Sequence, residues 1–123
     1  MIFDYVKPTA GISELASIST TARLGNNLHI GAFCSIADNV IIGDNCVLHP
    51  HVVIYPNVKL GDNAVIHSGA CIRENTVIGD NVVIQNGTTV GSDGFGYVQN
   101  PKHGLRLVPQ LGRVSLGDDV ELS

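Results

Sequence analysis

Every sixth residue from Ile12 to Val90 is a branched aliphatic: Ile12, Ile18, Leu24, Ile30, Ile36, Ile42, Leu48, Ile54, Leu60, Ile66, Ile72, Ile78, Ile84 and Val90. Fourteen consecutive positions keep the pattern without a failure. A fixed short period restricts a chain to an architecture that repeats one small unit. Two residues ahead of each aliphatic stands a small or apolar residue, such as Cys34, Val40, Cys46, Val52, Val58, Ala64 and Ala70. Residues two apart share one face of a strand, so both positions point inward, the small one and the large one in turn. Three residues after the aliphatic comes Asn (Asn27, Asn39, Asn45, Asn57, Asn63, Asn75, Asn81) or Gly (Gly69, Gly87). These residues tolerate a positive φ, which a sharp corner needs. Each hexad is therefore a short strand ending in a tight turn.

Hexads of this kind are the signature of a parallel β-helix, whose coils stack at the strand spacing of about 4.8 Å. The pattern resembles the hexapeptide-repeat transferases, and that resemblance implies an all-β, left-handed parallel β-helix with three hexads, about 18 residues, in each triangular coil. At 123 residues the chain is expected to form one domain over 1–123: hexads over 10–90, an extruded loop over 91–110 and a resumed coil over 111–123. Pro8 opens the first hexad, and the apolar stretch Met1–Lys7, with Phe3 and Tyr5, is expected to plug the first end of the prism.

Grouped by coil, the outward residues form three walls. One reads His29, Val47, Val65, Val83; the second Ser17, Ser35, Val53, Cys71, Thr89; the third Arg23, Ile41, Lys59, Val77. Stacked valines suit an exposed sheet by propensity alone. Contiguous apolar surface also marks a partner, and the expectation is a subunit interface through Val47, Val65 and Val83; the family resemblance implies a homotrimer. A net charge of −4 argues against nucleic acid and against an anionic membrane surface. No run reaches transmembrane length. Met1–Ser13 has no apolar leader core and carries Asp4, so no secretory signal is expected. Cys34 and Cys46 fall inward and Cys71 outward; an odd cysteine count without a metal spacing fits structural thiols in a reducing cytoplasm.

The period breaks after Val90. Gly91-Ser92-Asp93-Gly94-Phe95-Gly96-Tyr97 begins an excursion to Pro109, and aliphatics return out of phase at Val114, Leu116, Val120 and Leu122. A long insertion in a seamless solenoid reads as functional, against the plainer reading of a flap over one wall. It contains Lys102 and Arg106, with Arg113 just beyond. The chain stops at Ser123 one residue into a turn, with no cap on the last coil. Solenoids need capped ends, which predicts a fragment or a shortened relative of a longer protein.

The motif at 91–97, followed by Val108-Pro109-Gln110-Leu111-Gly112-Arg113-Val114 and Leu116-Gly117-Asp118-Asp119-Val120-Glu121, closely resembles the family of UDP-3-O-acylglucosamine N-acyltransferases of lipid A synthesis. The resemblance implies a cytoplasmic enzyme that moves an acyl chain from acyl-carrier protein, the acyl donor in place of any cofactor, to the amine of a UDP-sugar. In that family a uridine-binding domain precedes the β-helix, and the catalytic His lies in an Ile-Ala-His-Asn segment of a later coil. Neither has a matching position here, so the catalytic role is not carried over.

Attack of an amine on a thioester needs a base, commonly His. His49 and His67 are one coil apart and should stack at a corner, with Gln85 next in line. They are weak candidates for the base and read better as stacked corners. The candidate contacts for substrate or carrier are Asp93, Phe95, Tyr97, Lys102, Arg106 and Arg113; the three cations suit an acidic carrier protein or a phosphate. Two other classes stand beside the enzyme reading. One is a non-catalytic trimeric scaffold. The other is a zinc site of the gamma-class carbonic anhydrase kind through His49, His51 and His67, whose spacing does not resemble that family's ligand pattern; no metal is expected.

Overall fold

The computed structural model describes residues 11–91 and 114–122. Its sixteen strands are each two or three residues long, from Gly11–Ile12 to Glu121–Leu122, and no helix occurs among the described residues. They form three parallel sheets of six, five and five strands. Pairing always joins residues one coil apart. The first wall runs His29↔Val47, Val47↔Val65, Val65↔Val83. The second runs Ser17↔Ser35, Ser35↔Val53, Val53↔Cys71, Cys71↔Thr89. The third runs Arg23↔Ile41, Ile41↔Lys59, Lys59↔Val77. Three hexads thus close one triangular coil, and the three walls read from the sequence are the three sheets.

The core is the expected column. Ile30, Leu48, Ile66, Ile72 and Ile84 are fully buried, as are the small inward residues Val40, Cys46, Val52, Ala64 and Ala70. Each large aliphatic contributes roughly 1.5–3 kcal/mol by leaving water. Thr76 takes an inward position as the sole buried polar residue among those described. Its hydroxyl donates to the Arg73 carbonyl at 2.7 Å, which removes the cost of burying it. The first coil departs from the expectation. Ile12 is 47% exposed, and Ala16, Ile18, Ala22 and Leu24 are only partly buried. They belong to the end coil, which has a neighbour on one side only among the described residues. Met1–Lys7, the expected plug, lies outside the described residues.

Nine residues expected at positive φ adopt it: the seven asparagines with φ between 56° and 64°, and Gly69 and Gly87. Phe33 (φ 63°) and His51 (φ 66°) share this conformation, which their residue types do not announce.

A second ladder runs along one corner. The Asp44 carboxylate accepts the Asn26 N–H at 2.8 Å, Asp62 that of Asp44 at 2.8 Å, and Asp80 that of Asp62 at 2.7 Å. Gly25, Gly43, Gly61 and Gly79 leave the room these carboxylates occupy, because a Cβ on any of them would collide with the next coil's aspartate. Asp118 continues the ladder by accepting the Asp80 N–H at 2.7 Å. Beyond the insertion the strands also re-enter in register, as Thr76↔Val114, Ile78↔Leu116 and Val83↔Glu121 show. The return is out of phase in the sequence but in phase in the solenoid.

Candidate functional site

The corner that follows the first wall gathers most of the chain's imidazoles. One residue beyond the aliphatic stand His49 and His67; three beyond stand Leu15, Phe33, His51, Gly69 and Gly87. Parallel stacking repeats each position once per coil, so side chains at equivalent positions meet face to face. The His49 and His67 rings lie 4.9 Å apart with planes inclined by 6°. Phe33 and His51 form a second stack, 5.2 Å apart and inclined by 22°. Both spacings fall in the range where stacked rings attract, each pair contributing about 0.5–1.5 kcal/mol.

The electrostatics of the first stack follow from its packing. Burial pushes the His49 imidazole below its ordinary value, and the neighbouring His67 and His29 push it further the same way. His49 is therefore neutral at pH 7, a state that accepts a hydrogen bond at one ring nitrogen and donates at the other. The Cys34 thiol donates to the His49 carbonyl at 3.1 Å and so ties this corner to the core. Among the described residues neither His49 nor His67 hydrogen-bonds a carboxylate, the group that orients a histidine acting as general base. Among the described residues the next position in the column is Gln85, whose amide donates to Glu121 at 2.9 Å.

The structure brings His49 and His67 together as the spacing requires. It places them two residues beyond Val47 and Val65, at the margin of the half-buried valine wall. It also adds Phe33 and His51, which the sequence reading did not join. Their shared eighteen-residue separation was the available signal. Asp93, Phe95, Tyr97, Lys102, Arg106 and Arg113, the expected contacts for substrate or carrier, lie outside the described residues, as does the loop itself after Gly91.

The stem of that loop can be described. Arg73 lies over the Tyr55 ring at 4.7 Å and pairs with Glu74 at 3.0 Å. Gly91 packs so closely that a Cβ there would stand 2.5 Å from the Thr76 hydroxyl. The nearby Cys71 thiol is pushed up by burial, as are those of Cys34 and Cys46. All three are held as thiols, the unreactive form. Among the described residues no group of three or more His, Cys, Asp or Glu side chains is placed to hold a metal ion. No helix among them is long and apolar enough to cross a membrane.

Known proteins share both the repeat and parts of the sequence. A family model described as bacterial transferase hexapeptide (six repeats) matches residues 21–56 and again 57–92. A stretch of 34 residues is 68% identical to the UDP-3-O-acylglucosamine N-acyltransferase of Alkalilimnicola ehrlichii and covers 27% of this chain and 10% of that protein. A stretch of 33 residues is 52% identical to the protein of the same name from Coxiella burnetii, again covering 27% and 10%. The matched stretch thus spans about a tenth of these relatives' length. Among solved structures, an Arabidopsis UDP-N-acetylglucosamine acyltransferase superposes with a TM-score of 0.65 at 19% identity, covering 91% of this chain and 48% of that one. At that identity the likeness is one of fold.

Proposed function

The chain belongs to the bacterial transferase hexapeptide family, whose six-repeat model matches it twice in succession, and from this we propose that it is the β-helical body of an N-acyltransferase acting on UDP-3-O-acylglucosamine. The observation that carries the reading is the 68% identity to an enzyme of that name over 34 residues. The acyl donor is acyl-carrier protein, and the reaction forms an amide at the sugar amine as the carrier thiol leaves. The product belongs to lipid A synthesis, a cytoplasmic reaction sequence. The chain assembles as a homotrimer through Val47, Val65 and Val83, which places His49 and His67 beside the boundary between subunits.

Within these coils the chemistry is binding and orientation. Neutral His49 accepts or donates a hydrogen bond at the edge of the wall, and stacking fixes its plane. The base that takes the amine proton is not assigned to His49 or His67, since neither has an orienting carboxylate among the described residues. A second reading, the non-catalytic trimeric scaffold, is favoured by that same observation.

The test mixes the chain with acyl-carrier protein and UDP-3-O-acylglucosamine and follows release of the carrier thiol. Release that requires both substrates supports the transferase. Binding of carrier and sugar without release assigns the chain to the scaffold reading. Absence of both binding and release overturns the proposal.

A further inference from the structure

We propose that Asn86-Gly87 is a self-modification site, at which the Gly87 backbone nitrogen attacks the Asn86 side chain and the amide becomes a carboxylate. The step balances within the chain and water. The Gly87 nitrogen bonds to the Asn86 Cγ as the bond from Cγ to Nδ2 breaks. Ammonia leaves, carrying the proton that the Gly87 N–H gives up, and a succinimide ring remains. Water then opens the ring at either carbonyl. One opening leaves an ordinary aspartyl link, the other an isoaspartyl link whose backbone runs through the former side chain.

The corners of the solenoid single this position out. Asn27, Asn39, Asn45, Asn57, Asn63, Asn75 and Asn81 hold a positive φ themselves. The residues that follow them are Leu28, Val40, Cys46, Val58, Ala64, Thr76 and Val82, all buried in the column. At those corners the nitrogen that would attack belongs to a residue anchored in the core, and it cannot swing toward the Asn side chain without disturbing close packing. Asn26 is followed by Asn27, whose own side chain is tied to Asn45 at 2.8 Å. At the corner after Ile84 the arrangement shifts by one place. Asn86 comes earlier, and Gly87 takes the positive φ of 72°. The attacking nitrogen here belongs to a residue with no side chain to anchor it and the widest backbone freedom of any.

The hydrogen bonds at this corner are long as well. The Gly87 N–H donates to the Ser68 carbonyl at 3.2 Å, against 2.9–3.1 Å for the N–H groups of Asn45, Asn57, Asn63, Asn75 and Asn81. The Thr88 N–H donates to the Gln85 carbonyl at 3.3 Å, past the usual range for such a bond. Breaking these two bonds frees the Asn86–Gly87 peptide to turn, a local opening that leaves the neighbouring coils paired. The consequence falls on the next strand. Thr89 and Val90 pair with Cys71 and Ile72, in the last described strand before the insertion. An isoaspartyl link lengthens the backbone just ahead of that pairing and works against its register. The site stands on the corner geometry and does not depend on the acyl-transfer reading.

The test incubates the intact folded chain in buffer at pH 8 and follows each asparagine by peptide mass mapping. The expected result is conversion of Asn86 to a mixture of aspartyl and isoaspartyl forms ahead of every other described asparagine, and loss of that conversion in Gly87→Asn. Asn suits this variant because seven other corners hold it in the same backbone conformation. A second measurement needs no variant: amide exchange at Gly87 and Thr88 should outpace that at Asn45, Asn63 and Asn81. An Asn86 amide retained as long as the others overturns the proposal, as does conversion undiminished in Gly87→Asn. Exchange at Gly87 no faster than at the Asn corners also overturns it. So does conversion that appears only in urea, since the folded corner would then protect the site.

Discussion

Asp80 and Asp118 stand thirty-eight residues apart, yet the Asp80 N–H reaches the Asp118 carboxylate at the same 2.7 Å that joins Asp62 to Asp80 across eighteen. The solenoid accepts a long insertion, is back in register by Val114, and Asp118 rejoins the ladder. Charge-assisted hydrogen bonds of this kind contribute about 1.5–3 kcal/mol.

Asp118→Ala should loosen the strands Val114–Leu116 and Glu121–Leu122 while leaving the earlier coils intact. Amide exchange at Asp80 should quicken by about tenfold or more, as a loss of about 1.5 kcal/mol predicts. Unchanged exchange there would mean that strand pairing alone holds the register.

Gly61→Ala should be far more damaging than its size suggests. The new Cβ would lie 2.6 Å from the Gly79 backbone and collide with the Asp80 carboxylate. Separating the two coils costs the ladder bond and adjacent packing, about 2–4 kcal/mol. A thermal melt would show the loss, and a melting temperature equal to wild type would contradict the close approach.

Gly69 tests the corner rule by comparison of two substitutions. At φ 78°, Gly69→Asn should change stability by less than about 1 kcal/mol, whereas Gly69→Val should cost about 1–2 kcal/mol more. Urea midpoints of the two variants measure the difference. Equal midpoints would show that the turn relaxes to another conformation.

The histidine stack predicts a pH dependence with a definite sign. The folded chain holds His49 below its ordinary value of 6.5, so the unfolded chain binds more protons in the window between the two. Stability conferred by neutral His49 is present above that window and declines as the pH falls from about 6.5 toward the folded value. Melting temperatures at pH 7.5 and pH 5.5 should differ in wild type and differ less in His49→Gln. A wild type more stable at the lower pH would reverse the argument.

Val65→Glu tests the valine wall. Val65 sits at its centre, paired with Val47 and Val83. In the proposed trimer a carboxylate buried there without a partner would cost several kcal/mol in each subunit, so a trimer joined through this wall should fall apart and sediment as monomers. A sedimentation profile identical to wild type would remove this wall as the interface.

Much of this was legible before any coordinates. The aliphatic period determined the column, the residue two ahead determined its small positions, and a difference of eighteen determined which outward residues share a wall. These follow because parallel stacking copies each position onto its equivalent in the next coil, so one-dimensional spacing becomes three-dimensional neighbourhood. The His49–His67 stack was legible on the same ground. The repeated Gly-Asp-Asn at 43–45, 61–63 and 79–81 carried the aspartate ladder just as openly, although a glycine's need is visible only once the carboxylate it admits is in place.

Tertiary structure alone decided three things. Register beyond the insertion depends on backbone partners, not on the count of intervening residues, so Val114 and Leu116 look misplaced in the sequence and pair correctly in space. The left-handed backbone of Phe33 and His51 is imposed by the corner, which overrides what a Phe or a His prefers alone. The lowered protonation of His49 comes from burial against the neighbouring coils, a property that exists only once those coils are stacked.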